Sequence, residues 1–271
     1  MPDPEQEKSG WNHSNYAEFF DYYSQASDRE ESLQRFNSLS EIVKRYLSRR
    51  SGELEVADIG CGAGTQSLLW ASKGHHVHAL DVSEKLIELA KERSKRCGAV
   101  IDFRVGSASA VPWSSASMDV CFVPELLEHV VRWRECLDEF ARILRPGGVL
   151  LITTTNKLCP KQQEFELPLY SWYPGFLKRH YVEVARTTRP EIAGYATYPA
   201  VNWFTFYGLR KELRSRGLRS LDRFDVIDLS QKSRMKSSVV HLIRAVPILR
   251  WLAYLVTPST SVVAIKEGET L

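Results

Sequence analysis

The chain reads as an α/β protein with a doubly wound, mostly parallel seven-stranded sheet and an inserted acceptor-binding subdomain. Three observations predict this. Short apolar runs alternate with helical patterns between Val56 and Thr154. A glycine-rich turn, VADIGCGAGTQS at Val56–Ser67, joins the first run to the first helix after it. The rhythm then breaks at Asn156, where proline and aromatic residues take over. Strand and helix in alternation produce a parallel sheet covered on both faces.

The elements follow in order. Residues 1–10, polar and acidic, read as a tail. Trp11–Tyr23 carries six closely spaced aromatics, which pack an N-terminal helix on the core or lid the ligand site. Glu30–Leu47 has helical apolar spacing at Leu33, Phe36, Leu39, Val43 and Leu47. Val56–Ile59 is the first strand and Thr65–Lys73 a helix closed by Gly74. His76–Leu80 is the second strand, with Asp81 at its end. Ser83 caps a helix that runs to about Arg96. Ala99–Val105 and Met118–Val123 are strands three and four. Arg132–Ile143 is a helix, stopped by Arg145-Pro146-Gly147-Gly148, and Val149–Thr154 is strand five. Thr205–Ser215 returns to a helical pattern, Leu218–Ile227 is a late strand and Ser261–Ile265 the last. Four regions result: an N-terminal helical lid (1–50), a ligand-binding core (51–155), an inserted subdomain (156–205) and a C-terminal part of the core with an apolar segment (206–271).

Composition narrows the function. With 271 residues, 44% hydrophobic, the chain can bury one sizeable core. A net charge of +3 without a long basic patch predicts no nucleic-acid partner. Five scattered cysteines with no CxxC pair read as reduced thiols, and the N-terminus has no apolar leader, so a cytoplasmic location is expected.

The glycine turn carries the chemistry. Glycines admit positive φ and let a ligand approach the main chain, and the N–H groups opening the next helix hold polar or anionic groups. Asp81, beyond the second strand, is placed to accept hydrogen bonds from ribose hydroxyls. A dinucleotide fingerprint spaces its glycines G-x-G-x-x-G. Here Gly60, Gly62 and Gly64 are two residues apart throughout, and Asp58 precedes them. An acid at that point repels a pyrophosphate and suits an ammonium, which favours S-adenosylmethionine over a nicotinamide dinucleotide.

These residues resemble the class I S-adenosylmethionine-dependent methyltransferases, specifically the methyltransferase type 11 group. ADIGCGAGTQS is similar to the family's first motif, and Asp81 in HALDVS matches its ribose-binding acid. Gly106-Ser107-Ala108 resembles the adenine-side segment, which commonly has Asp at the place of Ser107. SMDVCFVPELLEHV and RILRPGGVLLITTTN resemble the segments around strands four and five. The likeness runs from about residue 50 to 156. It implies a Rossmann-like methyltransferase fold and a cofactor set of Asp58, Gly60, Cys61, Gly62, Gly64, Asp81, Val82, Ser107, Ala108 and Pro124.

The acceptor side begins after strand four. Glu125, Glu128 and His129 at i, i+3 and i+4 share one face if they open a helix. Two carboxylates and an imidazole there are a metal set for a divalent cation, magnesium or zinc. The alternative is that they orient the cofactor or bond to a nearby loop. ELLEH resembles the E-x-x-E-H of the ubiquinone-biosynthesis O-methyltransferases, where these residues are linked to metal binding and catalysis. The catalytic candidates are His129 as general base, Glu128 and, in second rank with Tyr170, His180. Tyr170, Trp172, Tyr173, Trp203, Phe204 and Phe206 offer flat surfaces for an aromatic or lipophilic acceptor.

The expected activity is transfer of a methyl group from S-adenosylmethionine to a hydroxyl of a small acceptor. Methylation at nitrogen or carbon of a metabolite or glycan is one alternative, and a non-catalytic scaffold that keeps the cofactor fold is another. Val239–Val256 is apolar but broken by His241, Arg244, Pro247 and Arg250, which is poor for a membrane span. It reads as an interfacial segment, a homodimer surface or part of the acceptor pocket, with internal packing as the simplest account. Lys232, Arg234 and Lys236 before it favour peripheral contact with the inner face of an anionic membrane.

Overall fold

The computed structural model describes residues 30–47, 52–161, 165–193, 200–230 and 232–268. The aromatic segment Trp11–Tyr23 and the rest of the expected lid before Glu30 lie outside the described residues. The described part of that N-terminal region is helix α1 (Glu30–Tyr46).

Seven strands form one sheet in the order β3-β2-β1-β4-β5-β7-β6. They are β1 (Glu55–Ile59), β2 (His76–Asp81), β3 (Asp102–Val105), β4 (Met118–Pro124), β5 (Leu144–Thr155), β6 (Leu218–Asp222) and β7 (Ser259–Lys266). β1 to β5 pair in parallel, and β7 runs antiparallel between β5 and β6. The chain moves outward from β1 to β3 and then restarts at β4 on the other side of β1. The strand order therefore reverses between β1 and β4, and a crevice opens at the carboxyl ends of the strands where an open α/β sheet binds its ligand.

Alternation along the central strands builds two layers. Val120 and Phe122 of β4, with Val149 and Leu151 of β5, face Phe36 and Val43 of α1 and Trp70. Trp70 belongs to α2 (Thr65–Ser72), and Phe36 meets its ring edge-on at 5.2 Å. Cys121 and Val123, with Leu150 and Ile152, face the opposite layer. That layer holds Leu137 and Phe140 of α4 (Trp133–Ile143) and Leu209 and Leu213 of α6 (Phe206–Arg214). These strands are buried on both faces, which is why they read as unbroken apolar runs. Each such side chain contributes roughly 1.5–3 kcal/mol by leaving water. Helix α3 (Glu84–Cys97) covers the β2–β3 edge, and Ser83 caps it by accepting from Leu86 N at 3.4 Å.

Between β5 and α6 lie two 3₁₀ turns, Tyr170–Trp172 and Pro190–Ala193, on either side of α5 (Gly175–Thr187). They enclose a small core of Phe165, Tyr170, Ala185, Ile192 and Ala193, in which Phe165 stacks on Tyr170 at 4.1 Å. The late strand expected to reach Ile227 stops at Asp222. Asp222 and Asp225 form a reciprocal capping box that opens the short helix α7 (Arg223–Val226). Two further helices, α8 (Arg234–Ala245) and α9 (Pro247–Leu255), precede β7. The apolar stretch beginning at Val239 is therefore two helices bent by 112°, and among the described residues no single helix is long and apolar enough to cross a membrane.

Candidate functional site: a cleft at the strand ends

The glycine turn is stitched to the end of β2. The N–H groups of Gly60 and Cys61 both donate to the Leu80 carbonyl, at 2.8 and 3.1 Å. Gly60 and Gly64 have φ of 75° and 77°, which an L side chain rarely adopts. Space is short as well. A Cβ on Gly60 meets Leu126 Cδ1 at 3.0 Å, and one on Gly64 meets Ala90 Cβ at 2.9 Å. The close seating of α2 on the β2–β3 side thus depends on bare backbone.

Asp81 is held by the main chain. One carboxylate oxygen accepts from Gly62 N at 2.8 Å and the other from Ser83 N at 2.9 Å. Burial raises its pKa, and those two N–H groups pull it back. Asp58, at the end of β1, is fully buried. Its Oδ2 accepts from Ser67 Oγ at 2.5 Å, while Oδ1 has no hydrogen-bond partner. Burial pushes the Asp58 carboxyl up to about 7; the Ser67 hydrogen bond opposes this and the nearby Asp81 charge adds to it.

A cleft of about 220 Å³ opens above these residues. Of the expected cofactor set, Gly60, Asp81, Val82, Ser107 and Ala108 line it. Asp58, Cys61, Gly62, Gly64 and Pro124 are not part of that lining. Cys61 is buried, and burial raises its thiol pKa, so it stays a protonated packing residue. Ser107 Oγ is 2.9 Å from Ser109 Oγ and accepts from Ser109 N at 3.2 Å, which folds that segment back on itself. Leu126, Val130 and Arg132 complete the wall. They were not singled out from sequence; their place directly after β4 was the available signal.

The residues present fit S-adenosylmethionine. The cleft offers an acid clamped at the end of β2 for ribose hydroxyls and bare backbone at Gly60, and Asp58 is a buried carboxylate with one oxygen unpartnered. Leu80, Ala108 and Leu126 offer apolar contact to a purine.

The acceptor side departs from expectation. Glu125–His129 does not open a helix. It is a turn, entered through Glu125 with φ 52°. Glu125 pairs with Arg35 of α1, which also donates to Thr153 Oγ1 at 3.3 Å. Glu128 points the other way, into the protein, where Thr154 Oγ1 donates to it at 2.8 Å. The Glu128 carbonyl accepts from Val201 N and Asn202 N at 2.8 and 3.0 Å. Asn202 Nδ2 in turn donates to the carbonyls of Leu127 and Val130, at 3.0 and 2.8 Å. The strand exit and Asn202 therefore set this turn, and the Glu125 and Glu128 side chains diverge. Among the described residues no group of three His, Cys, Asp or Glu can hold a metal ion. The magnesium or zinc set Glu125, Glu128 and His129 is not assembled, and these residues do not fit the ion.

His129 is half-buried and is not part of the cleft lining, although its neighbours Leu126 and Val130 are. His180 is exposed on α5, its ring 5.3 Å from that of Tyr181, and is not part of the cleft lining. The expected acceptor aromatics divide. Tyr170 fills the small core, and Phe204 and Phe206 fill the main one, so these three are packing residues. Trp172 is exposed, and its Nε1 donates to the Leu158 carbonyl at 3.1 Å. Trp203 lies under the Lys178 ammonium, 4.0 Å from the ring centre. Burial, with Lys157 nearby, lowers the Lys178 pKa to about 8.

Comparison with known proteins agrees with this geometry. Residues 57–152 match a family profile described as a methyltransferase domain of the type 11 group. A ubiquinone biosynthesis O-methyltransferase of Xylella fastidiosa is 33% identical over 125 residues, 45% of this chain and 50% of the relative. A malonyl-[acyl-carrier protein] O-methyltransferase of Erwinia billingiae is 31% identical over 158 residues, 56% of this chain and 60% of the relative. The alignments span about half the length of the curated relatives. A crystal structure of a Pyrococcus horikoshii protein superposes with a TM-score of 0.56 at 15% identity, covering 89% of this chain and 93% of that one. The fold and the cleft define a class I methyltransferase. Over residues 57–152 the chain carries a methyltransferase domain of the type 11 group.

Proposed function

We propose that this chain transfers a methyl group from S-adenosylmethionine to a hydroxyl of a small, aromatic or lipophilic acceptor. The observation that carries the reading is the cleft at the β1–β4 reversal, with Asp81 clamped on its floor, together with the unpartnered Oδ1 of Asp58. When bound, S-adenosylmethionine supplies a methyl group already activated by its sulfonium charge. The carboxylate of Asp81 accepts from the ribose hydroxyls. The Asp58 carboxylate offsets the ammonium charge. Gly106, Ser107 and Ala108 flank the base. Leu126 and Val130 would exclude water from the cleft, and much of the rate would come from alignment of the acceptor oxygen. His129 would take the proton of the acceptor hydroxyl as it is methylated. Glu128 is a positioning residue that anchors the turn bearing His129. No step is routed through a metal held by Glu125, Glu128 and His129, because Glu125 is turned to Arg35 and Glu128 to Thr154.

Both named relatives are O-methyltransferases, which supports oxygen as the acceptor atom. The test is in two parts. Titration calorimetry with S-adenosylmethionine is expected to show one site, and absence of heat overturns the enzyme reading in favour of a scaffold. A screen of phenols, lipid quinols, carboxylic acids, amines and glycans with labelled cofactor, before and after chelator treatment, identifies the acceptor. Transfer only to amines or carbon acids overturns the hydroxyl assignment. Loss of turnover with chelator, restored by magnesium or zinc, overturns the metal-free route.

A further inference from the structure

Helices α8 and α9 turn Arg244 and Arg250 inward and carry a set of apolar side chains outward. Arg244 of α8 donates to the carbonyls of Phe224, Asp225 and Ile227, at 2.8, 3.1 and 3.0 Å. Arg250 of α9 pairs with Asp225 at 2.6 Å and approaches Asp222 at 3.6 Å. The Tyr254 hydroxyl donates to Asp222 at 2.9 Å. Met235, Val239 and Leu242 share one face of α8, and Ile248, Trp251 and Leu252 share one face of α9. All six face solvent, between 40 and 75% exposed. Isolated exposed apolar residues are ordinary on a protein surface, but a contiguous patch of them marks a surface that meets something.

The charge around this patch has one sign. From Leu229 to Lys266 the sequence holds no Asp or Glu, whereas Lys232, Arg234 and Lys236 stand exposed where α8 begins. A groove of about 360 Å³ joins the two features, with Ile227, Met235, Val239 and Val240 on its apolar walls and Lys232 and Lys236 at its side. The bend of 112° and the partly buried ion pair of Arg250 with Asp225 argue against a span, which would break that pair. The same geometry suits an element lying in the plane of an interface, with apolar side chains in the acyl boundary and lysines at the headgroups. Trp251 is the kind of residue that settles at that depth.

We propose that the outward face of α8 and α9 docks on an anionic lipid bilayer. The docked face is tied to the acceptor side of the fold. Asn156, the first residue after β5, donates through Nδ2 to the carbonyls of Tyr254 and Thr257 at the end of α9, at 2.8 and 2.6 Å. A bilayer beneath α9 thus lies next to the segment that leads into the inserted subdomain. The proposal does not depend on the acceptor assignment, since docking is read without turnover.

The test is co-sedimentation of the full chain with phosphatidylcholine vesicles, with and without one quarter phosphatidylglycerol. Binding is expected only with phosphatidylglycerol, weakening as salt rises. Each basic residue near such a surface contributes about fivefold in partitioning. Lys232→Glu with Lys236→Glu is therefore expected to lower binding at least tenfold, and Trp251→Ser with Leu242→Ser to lower it with little change in salt dependence. Unchanged melting temperatures show that the variants fold. If a variant does not fold, quenching of wild-type tryptophan fluorescence by brominated lipid, lost in Trp251→Phe, supports the proposal in its place. Equal binding to neutral vesicles, or none to either, overturns it. So does a dimer in sedimentation equilibrium that Leu242→Ser dissolves, or a face that binds lipid only after residues 1–29 are removed.

Discussion

The donor half and the acceptor half of this molecule are built by different means. Around the cofactor cleft the backbone does most of the holding. Gly60 N and Cys61 N meet the Leu80 carbonyl, Gly62 N and Ser83 N meet Asp81, and Gly106 N meets the Asp81 carbonyl at 2.9 Å. On the acceptor side, side chains from distant segments hold the turn. Asn202 grips Leu127 and Val130, Thr154 meets Glu128, and Arg35 meets Glu125. A backbone-held site needs only local spacing and a few glycines. A side-chain-held site can change one residue at a time, which lets one donor half serve many acceptors.

The comparison breaks most visibly at His129. If it is the base, His129→Gln is expected to lower kcat by about a hundredfold or more while leaving cofactor affinity unchanged. Single-turnover rates with calorimetry check this, and equal loss of both would place His129 on the donor side. Gly64→Val tests the donor half. With φ of 77° and Ala90 Cβ 2.9 Å from the new Cβ, the variant is expected to lose about 3 kcal/mol in urea unfolding. A loss within experimental error would mean that α2 shifts freely.

Glu128→Ala tests the acceptor half. The buried Thr154 hydroxyl loses its acceptor, and a cost of about 1–3 kcal/mol is expected in the same measurement. Conservative Glu128→Gln should recover part of it, because the amide oxygen still accepts.

The gentlest probe is pH. The Asp58 carboxyl moves from its ordinary 3.8 to about 7 in the folded, ligand-free protein. The folded state therefore binds more protons than the unfolded state between those values. Its stabilising contribution is fully present below 3.8 and lost as pH rises to about 7, with a slope of at most about 1.4 kcal/mol per pH unit. Asp58→Asn should flatten that slope. An ammonium beside Asp58 reverses the preference, so cofactor binding below pH 7 is expected to release a proton, measurable by calorimetry in buffers of different ionisation enthalpy. Proton-neutral binding at pH 6 would remove Asp58 from the ammonium site.

Legibility follows the same division. The strands were readable because β1, β4 and β5 are buried on both faces and must be apolar throughout. The capping box at Asp222 and Asp225 was readable in principle, since the two acids stand three residues apart, the spacing from N-cap to N3. It was masked by the apolar run of Leu218–Ile227. ELLEH was not readable from its own letters. Its i, i+3, i+4 pattern promises one helical face, yet the positive φ at Glu125 and the two bonds from Asn202, more than seventy residues later, make it a turn. The flat aromatics were identifiable as a class. Which of them would fill cores, as Tyr170, Phe204 and Phe206 do, depended on neighbours far along the chain.

By itself, the sequence determined the sheet, the glycine turn and the acid at the end of β2, because periodicity, positive φ and residue spacing act over a few residues. Tertiary structure alone decided that Glu125 and Glu128 part company, and that α8 and α9 carry a set of apolar side chains outward. Those outcomes rest on contacts between segments far apart in the chain, where burial and hydrogen-bond satisfaction outweigh local pattern.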